Sequence, residues 1–272
     1  MMLSVLFATV SIMNVAHRGL WKEANMPQNT VEAIKAAYDA GAQVVETDFI
    51  ETQSGEMICL HDRKALASMV KKAKNPVEIT AEDRAVMNLG EKANLPRPYR
   101  IPLLSEVLAV VPKDRVLQAE IKVYGPGYAQ KFVDAVKAAG LTERNFIISS
   151  FNADALKDFR TKHPEFKTLW LGCGLKDKVN VERMISVAKA GKFDIICPGC
   201  DAARAAGFTA ADADRIRAAG FDFRVFGVNT PKSLEYAVSL GATGFTCNYF
   251  KAAYEWAAKM PAVELLPKLK TN

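Results

Sequence analysis

The stretch RAAGFDFRVF (Arg217 to Phe226) ends an Ala-rich helical run in glycine and passes directly into an apolar strand. The same junction recurs as DAGAQVVE (Asp39 to Glu46), KAAGLTERNFIIS (Lys137 to Ser149), KAGKFDIIC (Lys189 to Cys197) and SLGATGFTC (Ser239 to Cys247). Gly41, Gly140, Gly191, Gly220 and Gly241 each stand where a helix needs a left-handed residue to stop. The first helix also has an entry signal: Asn29 can cap it, Glu32 falls three residues later, and Val31, Ile34 and Tyr38 form an apolar stripe. Strands are expected at Ile12 to Ala16, Gln43 to Phe49, Val116 to Ile121, Phe146 to Ser149, Lys167 to Leu171, Phe193 to Cys197, Phe223 to Phe226 and Thr243 to Thr246. Strands alternating with helices in this number predict a (β/α)8 TIM barrel, an α/β fold whose reacting groups gather at the carboxyl ends of its strands.

Working outward, residues 15 to 62 hold the densest chemistry. VAHRG (Val15 to Gly19), VVETDF (Val44 to Phe49) and CLHD (Cys59 to Asp62) place two histidines and several carboxylates at the ends of apolar runs. Carboxylates on a buried strand face are costly unless a cation meets them. Val44 to Glu51 and Glu56 to His61 flank the turn-like Thr52-Gln53-Ser54-Gly55, as a hairpin with a four-residue loop would. In the simplest register Glu46 faces His61, so Glu46, Asp48 and His61 project from one side. Two oxygen ligands and a titratable base would then converge. Lys122, two residues beyond Glu120, shares its strand face.

The remaining features set bounds. Lys and Arg total 36 against 30 Asp and Glu, a net charge of +6 that suits an anionic substrate. No basic run with interleaved aromatics points to nucleic acid; Lys71-Lys72 and Lys113-Asp114-Arg115 read as solvated surface. Five cysteines at irregular spacing argue against a disulfide framework and for a reducing compartment. Cys197-Pro198-Gly199-Cys200 has the form of a redox or zinc pair, but it lacks further ligands and reads as a strand-ending turn. MMLSVLFATVSIM (Met1 to Met13) resembles the apolar part of a signal peptide, without a preceding basic residue or a clear cleavage site. A retained segment and a cytoplasmic protein are expected; export is the outcome if residues 1–13 act as a signal. No other segment approaches the roughly 20 apolar residues of a membrane span. Residues 62–102, with a Pro-rich exit (LPRPYRIP), read as an insertion near the active-site mouth of a single barrel domain, either a helical lid or plain packing. Asn152 in SSFN reads as a helix cap and His163, before Pro164, as structural.

HRG, a PxNT helix entry, ExD, HD, and ExK ahead of SSFN together resemble the glycerophosphodiester phosphodiesterase family, from His17 to about Asn248. The resemblance implies metal ligands at Glu46, Asp48 and Glu120 and a catalytic pair at His17 and His61. Three carboxylates with no Cys or His make a hard oxygen site suited to Mg²⁺ or Ca²⁺. A cation there would neutralise phosphate oxygens, while two imidazoles serve as general base and general acid. Arg18 and Lys122 are placed to hold the nonbridging oxygens, Lys122 more credibly because of its strand parity. The activity implied is hydrolysis of a small glycerophosphodiester, such as glycerophosphocholine or glycerophosphoethanolamine, to glycerol 3-phosphate and an alcohol.

The chain departs from the family pattern at three places. PQNT (Pro27 to Thr30) replaces PENT after the spacer LWKEANM, Phe226-Gly227-Val228-Asn229 replaces W-T-V-N, and Cys247-Asn248 replaces the final T-D. All three leave the expected ligands and histidines in place; the missing Trp and the exchange of Glu for Gln28 alter the floor and rim of the pocket. Two rival readings stand beside the main one: a lysophospholipid or sphingomyelinase D-like phosphodiesterase, and a catalytically silent barrel that binds phosphate esters.

Overall fold

The computed structural model describes residues 9–172 and 180–268. Its strands are β1 (Val10–His17), β2 (Val44–Glu51), β3 (Met57–Cys59), β4 (Val116–Val123), β5 (Phe146–Ser150), β6 (Lys167–Trp170), β7 (Ile195–Ile196), β8 (Asp222–Val225), β9 (Gly244–Cys247) and β10 (Val263–Leu266). Eight of them pair in parallel in the order β1-β2-β4-β5-β6-β7-β8-β9, and β9 returns to β1 to close the barrel. Strand β3 is the antiparallel return arm on β2, and β10 pairs with the first half of β1. This is the expected (β/α)8 architecture. Among the described residues no helix is long and apolar enough to cross a membrane. The signal-like reading of Met1 to Met13 falls largely on residues 1–8, outside the described residues.

Period-two alternation places the side chains. On β5, Phe146 and Ile148 join the large core between strands and helices, while Ile147 turns inward to meet Leu169, Leu171, Ile195 and Cys197 inside the barrel. On β4, Leu117, Ala119 and Ile121 face the helices, so Gln118, Glu120 and Lys122 face in. The outer layer is dominated by Phe132 of the helix Tyr128–Ala138, whose ring meets Phe49, Phe146 and Phe159 edge-on. Such contacts stabilise beyond the area they bury.

Two local expectations are corrected. The first helix, Val31–Asp39, is capped by Thr30, whose hydroxyl accepts the Ala33 N–H. Asn29 sits one residue outside, at φ +60°, and is turned toward the barrel. Gly191 is the last residue of its helix, and Lys192 takes the left-handed position at φ +54°; the other four glycines are left-handed as expected.

Residues 63–101 contribute the helices Arg63–Met69 and Ala81–Val86 and a smaller apolar cluster. Ile79, Leu89, Tyr99 and Ile101 pack there against Ile50 and Ile58 of the hairpin. Asn152 caps the helix Ala153–Lys162 by accepting two backbone N–H groups. His163 ends that helix, packed against Phe159 and Phe166. Cys197 and Cys200 are buried free thiols; burial pushes both up, Cys200 to about 11, which leaves them protonated at neutral pH.

Candidate active site

Three strand ends bring the expected residues together. His17 closes β1, Glu46 and Asp48 lie on β2, and Glu120 and Lys122 lie on β4, all on inward parity. The register sets Asp48 beside Glu120 and His17 beside Glu46. Single ligand atoms of Glu46, Asp48 and Glu120 all fall within 4.8 Å of one another, and the three side chains are buried. Glu46 and Glu120, with His17, His61, Arg18 and Lys122, line a cavity of about 250 Å³ at the carboxyl end of the barrel, and Asp48 lies fully buried beside them.

His61 arrives by a route other than the simplest hairpin. The ladder pairs Phe49 with Cys59, Ile50 with Ile58 and Glu51 with Met57, one residue off the expected register. Thr52 N–H bonds the Glu56 carbonyl, so the loop closes one residue later than the sequence suggests. Continued pairing would set His61 opposite Thr47, on the outer face. The last bond of that ladder runs from Leu60 N–H to the Asp48 carbonyl. Asp62 then caps the helix Arg63–Met69, and this turn delivers His61 to the cavity.

The carboxylates are not equivalent. Asp48 is the hub: Arg18 Nε lies 3.1 Å from one oxygen, Lys122 Nζ lies 3.3 Å from the other, and the Asn29 amide donates at 2.8 Å. Burial would raise its pKa, but Arg18 and Lys122 outweigh that and hold it at about 2. Neither oxygen of Glu46 has a hydrogen-bond donor, although both are buried. Burial first, then Asp48 and Glu120, push Glu46 well above the usual carboxylate range. Glu120 is raised to about 8 by burial and by Asp48, despite the Lys122 ammonium 2.6 Å away. Two buried carboxyls held reluctantly beside an ionised third are the pattern a cation resolves. All the donors are oxygens, which fits a hard divalent ion.

Both histidines are fixed through Nδ1. His17 Nδ1 lies 2.6 Å from Asn248 Oδ1, and His61 Nδ1 lies 2.7 Å from Asp62 Oδ2. An amide oxygen and an ionised carboxylate only accept, so Nδ1 carries the proton in each ring and Nε2 is left for chemistry. His17 Nε2 stands 3.6 Å from Glu46. Burial, then the adjacent Arg18, lower the His17 pKa to about 4. Burial is also the main cause of the lowering at His61.

Several contributors were assigned no specific contact in the site by the sequence. Asn29 donates to the Asp48 carboxylate and accepts its backbone N–H at 3.2 Å. Gln28 accepts from Arg18 Nη1 at 2.5 Å, so Arg18 is shared between a charged and a neutral acceptor. Phe151, Leu171 and Phe226 form the other wall of the cavity. Asn29 was hidden because it read as a cap; the adjacent Thr30, an equally good cap, is the signal that Asn29 was free for other work.

Residues 17–252 match the glycerophosphoryl diester phosphodiesterase family. A glycerophosphodiester phosphodiesterase from Caldanaerobacter subterraneus subsp. tengcongensis is 36% identical over 170 residues, which cover 59% of this chain and 67% of that protein. One from Bacillus altitudinis is 24% identical over 244 residues, 86% of this chain and 93% of its own length. The fold is similar to the crystal structure of a Thermotoga maritima glycerophosphodiester phosphodiesterase, with a TM-score of 0.71 at 20% identity, covering 90% of this chain and 97% of that one. It is also similar to an Oleispira antarctica phosphodiesterase solved with the product sn-glycerol-3-phosphate, with a TM-score of 0.75 at 18% identity, covering 91% and 97%.

Proposed function

The chain belongs to the glycerophosphoryl diester phosphodiesterase family and is an enzyme of that class, and from that premise we propose that it hydrolyses glycerophosphodiesters to glycerol 3-phosphate and an alcohol with a divalent cation and two histidines. The observation that carries this reading is the buried trio Glu46, Asp48 and Glu120, with both Glu46 oxygens lacking a donor, between two imidazoles whose Nδ1 atoms are already engaged. Glu46, Asp48 and Glu120 would hold Mg²⁺ or Ca²⁺, which when bound neutralises phosphate oxygens and acidifies the attacking oxygen. A catalytically silent ester-binding barrel leaves those unpartnered carboxyls without a role.

The chain's own groups supply the rest. Arg18 and Lys122 hold the phosphate's nonbridging oxygens, and both already reach the cavity from Asp48. One histidine accepts the proton of the attacking hydroxyl at Nε2, as the new oxygen–phosphorus bond forms. The other enters the step as the imidazolium, favoured beside the anionic phosphate, and delivers its Nε2 proton to the departing alkoxide as the old phosphorus–oxygen bond breaks. Asn248 and Asp62 keep both rings oriented, so neither must reorganise during the step. The attacking hydroxyl belongs to water or to the neighbouring glycerol carbon; with the latter, water then opens the cyclic ester through the same pair.

The test is release of glycerol 3-phosphate from glycerophosphocholine and glycerophosphoethanolamine by the wild type, His17→Ala and His61→Ala. Turnover by the wild type and loss of about 10²-fold or more in each variant is the expected result. Undiminished turnover in either variant removes that histidine from the mechanism.

A further inference from the structure

The geometry points to a second substrate subsite, beside the catalytic cavity, that selects an alcohol bearing a carboxylate. This rests on the phosphodiesterase reading above and names its substrate class more narrowly. A cavity of about 340 Å³ adjoins the first one, and His61 and Lys122 line both. A phosphodiester held at Lys122 has two arms that leave phosphorus in different directions. One arm stays in the first cavity, and the other has room beyond His61 and Lys122 in the second.

Two donors lining the second cavity have no acceptor. Arg63 is exposed there and, among the described residues, makes no ion pair or hydrogen bond. The other arginines of residues 62–102 are all engaged: Arg84 with Glu56, Arg97 with Glu32, and Arg100 with the Met87 carbonyl. Asn75 also lines the cavity, and its side chain takes no part in capping the turn Pro76–Glu78 that follows it. A guanidinium and a primary amide each present paired N–H groups that match the two oxygens of a carboxylate.

The second cavity also disfavours a cationic headgroup. Its one carboxylate, Asp62, already accepts from His61 Nδ1 at 2.7 Å through one oxygen and from the Ala65 N–H at 2.6 Å through the other. Lys122 is met by Glu120 and Asp48 on the side of the first cavity, so Arg63 is the uncompensated charge of the second. A choline or ethanolamine ammonium placed there would face like charge and find no free counter-ion. A carboxylate would face opposite charge. Glycerol brings no charge of its own, so the arm that Arg63 reads is the alcohol.

Glycerophosphoserine and glycerophosphoethanolamine differ only by the carboxylate, so the ratio of their kcat/KM values isolates it. The ratio is measured by glycerol 3-phosphate release for wild type, Arg63→Gln, Arg63→Lys and Lys64→Gln. Lys64 is the neighbouring exposed cation that does not line the cavity, so its removal reports the general field of that surface. Wild type should favour glycerophosphoserine by about fivefold, the upper range for an ion pair that water still reaches. Arg63→Gln should bring the ratio close to one, Arg63→Lys should keep part of the preference, and Lys64→Gln should leave it unchanged. A wild-type ratio of one or below, a ratio that Arg63→Gln does not lower, or an equal fall in Lys64→Gln overturns the subsite while the phosphodiesterase reading stands. Absence of turnover with both esters overturns both.

Discussion

On β1, β2 and β4 the barrel mouth presents His17, Glu46, Glu120 and Lys122 with Asp48 buried beside them, whereas the ends of β5, β6 and β8 present Phe151, Leu171 and Phe226. The two sides are built by the same alternation of inward and outward residues and differ in what the inward positions contain. The apolar side is an extension of the barrel interior and is satisfied by its own packing. The charged side is not: Glu46 has no donor, Glu120 is held with a raised pKa, and only Asp48 of the three meets two cationic side chains. Buried groups that cost stability in the folded chain cluster at the site where the proposed chemistry takes place. Removing a carboxyl without a donor should therefore cost activity with little loss of stability, whereas removing the cation-paired Asp48 should cost both.

The largest effect is expected at Asp48. Asp48→Ala leaves Arg18 and Lys122 close together without their shared counter-ion, so stability should fall by about 3–5 kcal/mol by urea unfolding, with turnover lost. Glu46→Gln is the sharpening control. It removes a buried carboxyl that has no partner, so metal-free stability should change by less than about 1 kcal/mol, while the stabilisation by added cation disappears. A loss at Glu46→Gln as large as at Asp48→Ala would contradict the division between a compensated hub and an uncompensated ligand.

A smaller effect is expected at Asn29. Asn29→Ala removes two hydrogen bonds to Asp48 and should cost about 1–3 kcal/mol, with weaker cation binding measured by calorimetry. Unchanged affinity would mean that Asp48 needs no support from outside its strand.

The pH dependence follows from Glu46 and Glu120. Both have folded pKa values raised above their unfolded ones, so between the unfolded value of 4.5 and about 8 the folded, cation-free state binds more protons than the unfolded state. Its stability therefore declines as pH rises through that window. A bound cation keeps both groups ionised and removes the decline. The rise in melting temperature on adding Mg²⁺ or Ca²⁺ should be small at pH 5 and larger at pH 8; a rise that is equal at both would contradict the raised values. The smallest effect belongs to the apolar side. Phe226 is only half-buried, so Phe226→Ala should cost less than a core phenylalanine such as Phe132, where about 3–5 kcal/mol is expected, and should shift substrate preference more than stability.

The same contrast explains what could be read from the sequence. Glu46, Asp48, Glu120 and Lys122 were legible because strand parity fixes direction and because charges at apolar strand ends need a reason. The eight strands were legible from repeated helix–glycine–strand junctions. Asn29, Gln28 and Asn248 were not, since each lies outside a strand, where spacing does not set the direction of a side chain. His61 was assigned to the right place by a register that is one residue off, and the cap at Asp62 is what brings it there. Phe226 stood out only as a departure from the family pattern and Phe151 not at all; the closed barrel shows that they meet across its rim.

The most direct measurement is turnover of a glycerophosphodiester against free cation concentration, starting from protein treated with EDTA, in wild type and Glu46→Gln. Wild-type activity should rise from background to saturation with Mg²⁺ or Ca²⁺, and Glu46→Gln should need a concentration at least tenfold higher or remain inactive. Full wild-type turnover in excess EDTA, or identical cation curves for the two proteins, would contradict a cation site built on the buried carboxylates.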